Sequence, residues 1–269
     1  MNQLKIKAFQ EKIFAWWERH KRSFPWRKTN NPYKILVSEF MLQQTQTTRV
    51  KEIYRAFLRI FPTIESLAKS KPSEVLRFWS QNRLGYNRRA LWLHEAANQI
   101  VKNENFPKTI KELRDLKGIG PYASRSILIF AFNSNIATVD TNIRRILIAE
   151  GFAREETSDK DLLEIATQLL PKDRSRDWHN ALMDYGAIKL TSIKTGIKPR
   201  SKQSKFKGSN RQFRGKVVEY LTKINVAEKE KIIRACKIPK DKIEQVLNSL
   251  IKDGLVIKEQ NEDMYQIKK

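Results

Sequence analysis

The sequence predicts an all-α protein that ends in a small winged-helix-like domain, and three observations lead there. Apolar residues recur at three- and four-residue steps through nearly every segment, the period of a helix with one buried face. Prolines at 25, 32, 62, 72, 107, 121, 171 and 199 fall between those segments, as helix punctuation does. Only the stretch after Gly254 alternates apolar and polar residues with the period of a strand.

In chain order, the helical period runs through Ile6–His20, Tyr33–Leu42, Thr45–Phe61, Leu91–Val101, Ile110–Leu116, Tyr122–Phe132, Asn142–Glu150, Ser158–Leu170 and His179–Leu190. At about Lys194 the composition turns basic and glycine-bearing, so residues 196–210 read as a linker able to lie along a phosphate backbone. Helices are then expected at Arg211–Lys223, Ala227–Lys237 and Lys240–Lys252. Gly254 stops the last of them, and Leu255–Lys258 and Met264–Lys268 flank a turn at Asn261-Glu262-Asp263. Three helices and a terminal hairpin make residues 211–269 winged-helix-like, with the third helix as a groove reader. A protein–protein module is the other reading of the same pattern. No strand pattern precedes about residue 250 and no internal repeat is visible.

The bulk numbers narrow the partners. Lys and Arg number 53 against 29 Asp and Glu, a net charge of +24, while 40% apolar content is that of a globular chain. A folded surface this basic repels itself without a polyanion, and nucleic acid is a commoner one than an anionic membrane. No apolar run approaches the ~20 residues that span a bilayer. The start, Met-Asn-Gln-Leu-Lys-Ile-Lys, lacks the apolar core of a signal peptide. A cytoplasmic, nucleoid-associated monomer without a membrane partner is therefore expected. The lone cysteine, Cys236, excludes an internal disulfide and any four-cysteine metal site. His20, His94 and His179 are too scattered for metal ligands and read as surface or satisfied core residues.

The sharpest local signal is Leu116-Lys117-Gly118-Ile119-Gly120-Pro121-Tyr122, between two helical segments. Two glycines permit a turn with positive φ and a close approach of backbone amides to another molecule. Pro121 suits the first position of a helix, whose free amides and dipole can hold a phosphate oxygen. Ile119 would be the apolar peg of this hairpin, and Lys117 would face phosphate. An ordinary tight turn is the plainer alternative. Asp140 follows Gly120 by twenty residues, in Thr138-Val139-Asp140-Thr141-Asn142. It can cap the next helix. It can also project a carboxylate into a cleft, where it would stabilise a cationic sugar during glycosidic cleavage. Such cleavage of an N-glycosidic bond needs a second group that protonates the departing base.

Leu-x-Gly-x-Gly followed by Val-Asp resembles the signature of helix-hairpin-helix DNA glycosylases. Phe24-Pro25-Trp26-Arg27, Asn31-Pro32-Tyr33, Ser38-Glu39-Phe40-Met41-Leu42-Gln43-Gln44-Thr45-Gln46-Thr47, Leu84-Gly85-Tyr86 and Asn180–Ala187 are similar to motifs of MutY-type adenine glycosylases. The likeness covers about residues 10–195. It implies a two-lobed helix-hairpin-helix fold over residues 1–195, with a helical barrel at 26–135 and a second lobe of 1–25 plus 136–195. It also implies roles. Glu39 would protonate the base and then help activate water, Asp140 would stabilise the oxocarbenium ion, and Tyr122 would line the pocket. Asn142 would support Asp140. Trp26 and Arg27 would contact the extruded base. Gln43, Gln44 and Tyr86 would wedge into the duplex and hold the gap, with Lys117, Gly118, Ile119 and Gly120 on its backbone. Relatives resembling endonuclease III carry a Schiff-base lysine where Tyr122 stands, so base removal without strand cleavage is expected.

The implied activity is hydrolysis of the N-glycosidic bond of a mispaired adenine, opposite G or 8-oxoguanine, in double-stranded DNA. Two departures keep alternatives open. Most relatives carry a four-cysteine iron–sulfur cluster after the Gly-Ala segment, yet residues 190–206 hold no cysteine, so no cofactor is expected. MutY proteins also usually end in a MutT-like domain that recognises 8-oxoguanine, where this chain has a winged-helix-like segment. A thymine/uracil mismatch glycosylase, which also uses a tyrosine at the position of Tyr122, is therefore the alternative. A binding protein for damaged DNA is a second one, although it would need neither Glu39 nor Asp140 facing a polyanion.

Overall fold

The computed structural model describes residues 1–200, 205–259 and 263–268. Helix follows helix: α1 (Gln3–His20), a short 3-10 turn at Pro25–Lys28, α2 (Pro32–Leu42), α3 (Thr47–Ile60), α4 (Ile64–Lys69), α5 (Pro72–Gln81), α6 (Arg88–Lys102), α7 (Ile110–Asp115), α8 (Pro121–Phe132), α9 (Thr141–Ala149), α10 (Asp159–Gln168), α11 (Ser175–Ile188) and α12 (Ser192–Thr195). The C-terminal part adds α13 (Asn210–Ile224), β1 (Val226–Glu228), α14 (Lys229–Cys236), α15 (Ile243–Lys252), β2 (Val256–Lys258) and β3 (Met264–Ile267). No helix among the described residues is long and apolar enough to cross a membrane.

The chain divides into two compact units. The first comprises residues 1–39, 108–115 and 119–202, so residues 108–115 and 119–135 group with the N-terminal helix. Its core joins Ile6, Phe9 and Ile13 of α1 to Ile143, Ile146 and Leu147 of α9 and to Trp178, Ala181, Leu182 and Tyr185 of α11. Those spacings are the helical stripes of the sequence turned inward. Local chemistry sets the helix starts. Asn2 Oδ1 accepts from the Leu4 amide at 2.8 Å, which begins α1 ahead of its first apolar residue. Pro121 opens α8, and Asn133 closes it in the left-handed region. The Ala137–Asp140 run into α9 is pinned from α11: the Thr138 amide donates to His179 Nε2 at 3.1 Å, while His179 Nδ1 lies 2.7 Å from the Ser175 carbonyl. His179 is thus a satisfied core residue, and burial pushes its pKa down to about 4.

The second unit comprises residues 40–107, 116–118 and 203–269. Val50, Tyr54 and Phe57 of α3, Val75, Leu76 and Trp79 of α5, and Leu93, Ala96 and Ala97 of α6 form its apolar interior. Helix α13 packs on α5, and the Arg77 Nε donates to the Thr222 carbonyl at 3.1 Å. The sheet has the order β1-β3-β2, antiparallel throughout, with Ala227 opposite Tyr265 and Lys258 opposite Tyr265 on the other side. Helix, strand, two helices and a hairpin of strands make a winged helix. One expectation is corrected. Ala227–Lys237 is not a single helix, because Val226–Glu228 forms a strand beside β3 before α14 begins. Three residues with one buried side chain, Ala227, are too short to display a period of two. The expected turn at Asn261-Glu262 and the linker residues 201–204 lie outside the described residues.

Candidate active site

In the first unit, Glu39 on α2, Tyr122 and Ser126 on α8, and Asp140 at the start of α9 converge. Glu39 is 9% exposed. Burial raises its pKa to about 7, the Ser126 hydroxyl opposes that rise, and the Asp140 charge adds to it. Tyr122 is 36% exposed as a residue. Its hydroxyl is desolvated and faces Glu39 and Asp140, which pushes it well above the usual phenol range. Ser126 is fully buried.

Asp140 serves both readings of the sequence at once. Its Oδ1 accepts from the Ile143 amide at 2.7 Å, which is the cap of α9, and its Oδ2 accepts from Asn142 Nδ2 at 3.1 Å. Burial raises its pKa, while those donors and the Arg145 charge pull against the rise. Asn142 is held in turn, since Arg145 Nη2 donates to its Oδ1 at 2.6 Å and to the Gly186 carbonyl at 2.9 Å. Sequence reasoning missed Arg145, whose signal was only the Arg144-Arg145 pair. It also missed the contact at Gly186, where a Cβ would stand 2.8 Å from Asn142 Cβ. α11 can approach Asn142 this closely only without a side chain there.

Trp26 and Arg27, expected at the base pocket, are engaged elsewhere in this unit. The Trp26 ring stacks on Phe24 with centroids 4.9 Å apart. Both terminal nitrogens of Arg27 bind Asp184, at 2.7 and 3.0 Å. The fully buried Asp184 carboxylate also accepts from Trp17 Nε1, the Arg22 amide and Arg22 Nε. Burial alone would raise this carboxyl; Arg27 and Arg22 hold it below its ordinary value. Arg27 is not among the charges that act on Glu39 or Asp140.

The glycine hairpin departs from its expectation in one respect. Only Gly118 has positive φ, at +82°, and a Cβ there would sit 2.8 Å from Trp92 and 2.9 Å from Phe40. Gly120 has φ −89°, and a Cβ there would meet nothing within 4 Å. Gly118 is thus required by the fold, while Gly120 leaves the start of α8 open to an approaching molecule. Ile119 is buried as expected. Lys117 is exposed and pairs with Glu95 at 2.7 Å.

In the second unit, Gln43, Gln44 and Tyr86 come together around a cavity of about 830 Å³, with Arg89, Trp92 and Arg211 also in its wall. Gln43 Nε2 donates to the Gly118 carbonyl at 3.2 Å. Gln44 and Tyr86 both adopt the left-handed region, with φ of 56° and 46°. The organiser is Arg89, which is 3% exposed. It donates to the carbonyls of Phe40, Gln43, Leu84 and Gly85 at 2.7, 2.5, 2.9 and 3.1 Å. One buried cation therefore ties the end of α2 to the Gly85-Tyr86 turn. The Tyr86 hydroxyl accepts from Arg211 of α13 at 2.6 Å.

A four-thiolate cluster does not fit these residues. The only cysteine, Cys236, is buried in α14, with its thiol pushed up to about 11 by burial. No step below passes through such a cluster.

Residues 37–172 match the HhH-GPD superfamily base excision DNA repair protein family. An adenine DNA glycosylase of Mycolicibacterium smegmatis is 34% identical over 91% of this chain and 91% of its own length. A thymine/uracil-DNA glycosylase of Methanothermobacter thermautotrophicus is 32% identical over 68% of this chain and 85% of its own. A solved thermostable thymine-DNA glycosylase superposes with a TM-score of 0.65 at 32% identity, covering 72% of this chain and 93% of that one. With Glu39, Tyr122 and Asp140 gathered inside the matched span, the chain belongs to the HhH-GPD superfamily of base excision DNA repair proteins.

Proposed function

We propose that the chain is a monofunctional DNA glycosylase that hydrolyses the N-glycosidic bond of a mispaired adenine flipped out of duplex DNA. The observation that carries this reading is Glu39: a buried carboxyl that keeps its proton up to about pH 7, beside a carboxylate surrounded by donors. Glu39 gives its proton to the departing base as the C1′–N bond breaks and the bonding electrons leave with the base. Asp140 stabilises the cation left on the sugar. A water then adds to C1′ and returns its proton to Glu39, restoring the enzyme. Tyr122 has no amine to form a Schiff base, so the strand stays intact at the abasic site. The open amides at Gly120 suit a DNA phosphate, and Gln43, Gln44 and Tyr86 suit the space that flipping leaves. The adenine branch is favoured by the greater coverage of the adenine-specific relative.

The net charge of +24 supports work on chromosomal DNA inside the cell. Mispaired thymine or uracil is a second reading, favoured by the thymine/uracil-specific relative. Single-turnover excision on labelled duplexes carrying A:8-oxoguanine, A:G, T:G and U:G, with and without alkali, tests both. Adenine-strand breakage only after alkali is the expected result. Breakage at T:G or U:G moves the chain to the pyrimidine branch, and breakage without alkali overturns the monofunctional assignment.

A further inference from the structure

Ser126 stands on the same face of α8 as Tyr122, one turn further along, and is fully buried. Its Oγ makes no well-formed hydrogen bond with any described residue. That is unusual for a helical serine, which can turn back to a carbonyl of the preceding turn. Ser124 on the same helix does so, with Oγ 3.1 Å from the Pro121 carbonyl. The Ser126 hydroxyl instead faces the Glu39 carboxyl and the Tyr122 hydroxyl. A buried hydroxyl without a settled partner is costly unless some state of the site satisfies it.

We propose that Ser126 is a positioning residue for base protonation: its hydroxyl orients the Glu39 carboxyl and donates to the carboxylate once the proton has gone to the base. This rests on the glycosylase reading above. During the reaction the Glu39 carboxyl becomes an anion in a buried pocket, and Ser126 is a donor placed to meet it. When water later adds to the sugar, the carboxylate takes a proton back and the hydroxyl is released to its resting state. The charged neighbours do not supply this donor. Asp140 repels the new anion, and the Arg145 cation acts on Asp140. Arg125 on the same helix donates to the Ala137 carbonyl. The ring nitrogens of His179 are taken by the Thr138 amide and the Ser175 carbonyl, and the Tyr122 hydroxyl, which keeps its proton, is the second hydroxyl that faces Glu39.

The test is Ser126→Ala in the full chain, with Ser126→Thr as the variant that retains a hydroxyl. Glu39 is titrated by carbon NMR of the protein carrying 13C-labelled glutamate, and excision is followed against pH under single turnover. Removing a donor to a carboxylate raises its pKa, so the Glu39 titration in Ser126→Ala moves up by about one unit or more. The alkaline limb of the rate moves with it, and Ser126→Thr returns both toward wild type. A serine that merely fills space would leave both midpoints in place, and that result overturns the proposal. A moved titration with an unmoved rate limb also overturns it, because the contact would then lack a catalytic consequence. If the wild type excises no base from any duplex while the titration still moves, the glycosylase reading fails and the Ser126–Glu39 contact survives as structure alone.

Discussion

Replacing Glu39 with glutamine should make the protein more stable above neutral pH while disabling it. In the folded chain the carboxyl titrates at about 7, against 4.5 for an unperturbed glutamate. The folded state therefore holds this proton more tightly than the unfolded state. The stability linked to it is complete below about pH 4.5, declines as pH rises, and is fully lost above about pH 7. At about 1.4 kcal/mol per unit, the carboxylate costs the fold on the order of 3 kcal/mol at pH 8. Glutamine carries no such charge and keeps nearly the same volume. Urea denaturation of wild type and Glu39→Gln at pH 5, 6, 7 and 8 should show a gap that widens in favour of the variant and levels off above 7. The same variant should lose roughly 10²–10⁴-fold in single-turnover excision, the usual worth of a general acid. A stability gap that stays constant across this range would refute the reasoning, since Glu39 would then titrate as an ordinary surface carboxyl.

Asp140→Asn keeps an oxygen to accept from the Ile143 amide, so the variant should fold and bind a lesion duplex, yet turn over at a small fraction of the wild-type rate. Loss of binding in step with turnover, measured by gel shift, would make Asp140 purely structural. The hairpin glycines should separate. Gly118→Ala meets Trp92 and Phe40 at a left-handed φ and should destabilise by about 1–3 kcal/mol in denaturation. Gly120→Ala should melt like wild type but weaken duplex binding, and equal melting losses for both would contradict the distinction. Gly186→Ala pushes against Asn142 Cβ and backbone and should lower the excision rate more than it lowers duplex affinity. A rate equal to wild type would show that Asn142 does not position Asp140.

What the sequence disclosed follows from how local each feature is. Glu39, Tyr122 and Asp140 were legible because each sits in a motif whose turns and helix starts are set by its nearest neighbours, such as Pro121 at the head of α8. Gly118 was legible as a glycine that must turn, but Gly120 was not distinguishable from it. The difference lies in Trp92 and Phe40, which crowd one position and not the other. Arg27 reads as a ligand-facing cation until Asp184, 157 residues away, occupies both of its outer nitrogens. Arg89 reads as one more positive charge in a basic chain, and only the fold turns it inward onto the backbone carbonyls of Phe40, Gln43, Leu84 and Gly85. Ser126 has no sequence signal beyond being polar in an apolar helix. Strand β1 was hidden because three residues are too few for a period, and its partner lies at the far end of the domain.

Three carboxyls of the first unit show how one basic chain gives the same functional group three behaviours. Asp184 has two guanidinium partners and stays ionised, so it works as a clamp for Arg22 and Arg27. Asp140 has no direct cation but collects an amide and an amide side chain, with Arg145 one residue removed through Asn142. Those groups oppose the rise that burial imposes on its pKa. Glu39 has neither; burial and the nearby Asp140 charge leave it protonated near neutral pH. Acid-assisted departure of a base from a cationic sugar needs one group that holds a proton at the pH where the other has lost it, and the donors around Asp140 act in that direction while burial holds the proton on Glu39. The excess of positive charge elsewhere in the chain does not defeat this arrangement, because no cation among the described residues acts on Glu39 itself. A lysine or arginine placed there would keep the carboxyl ionised and remove the acid, however well the DNA still bound.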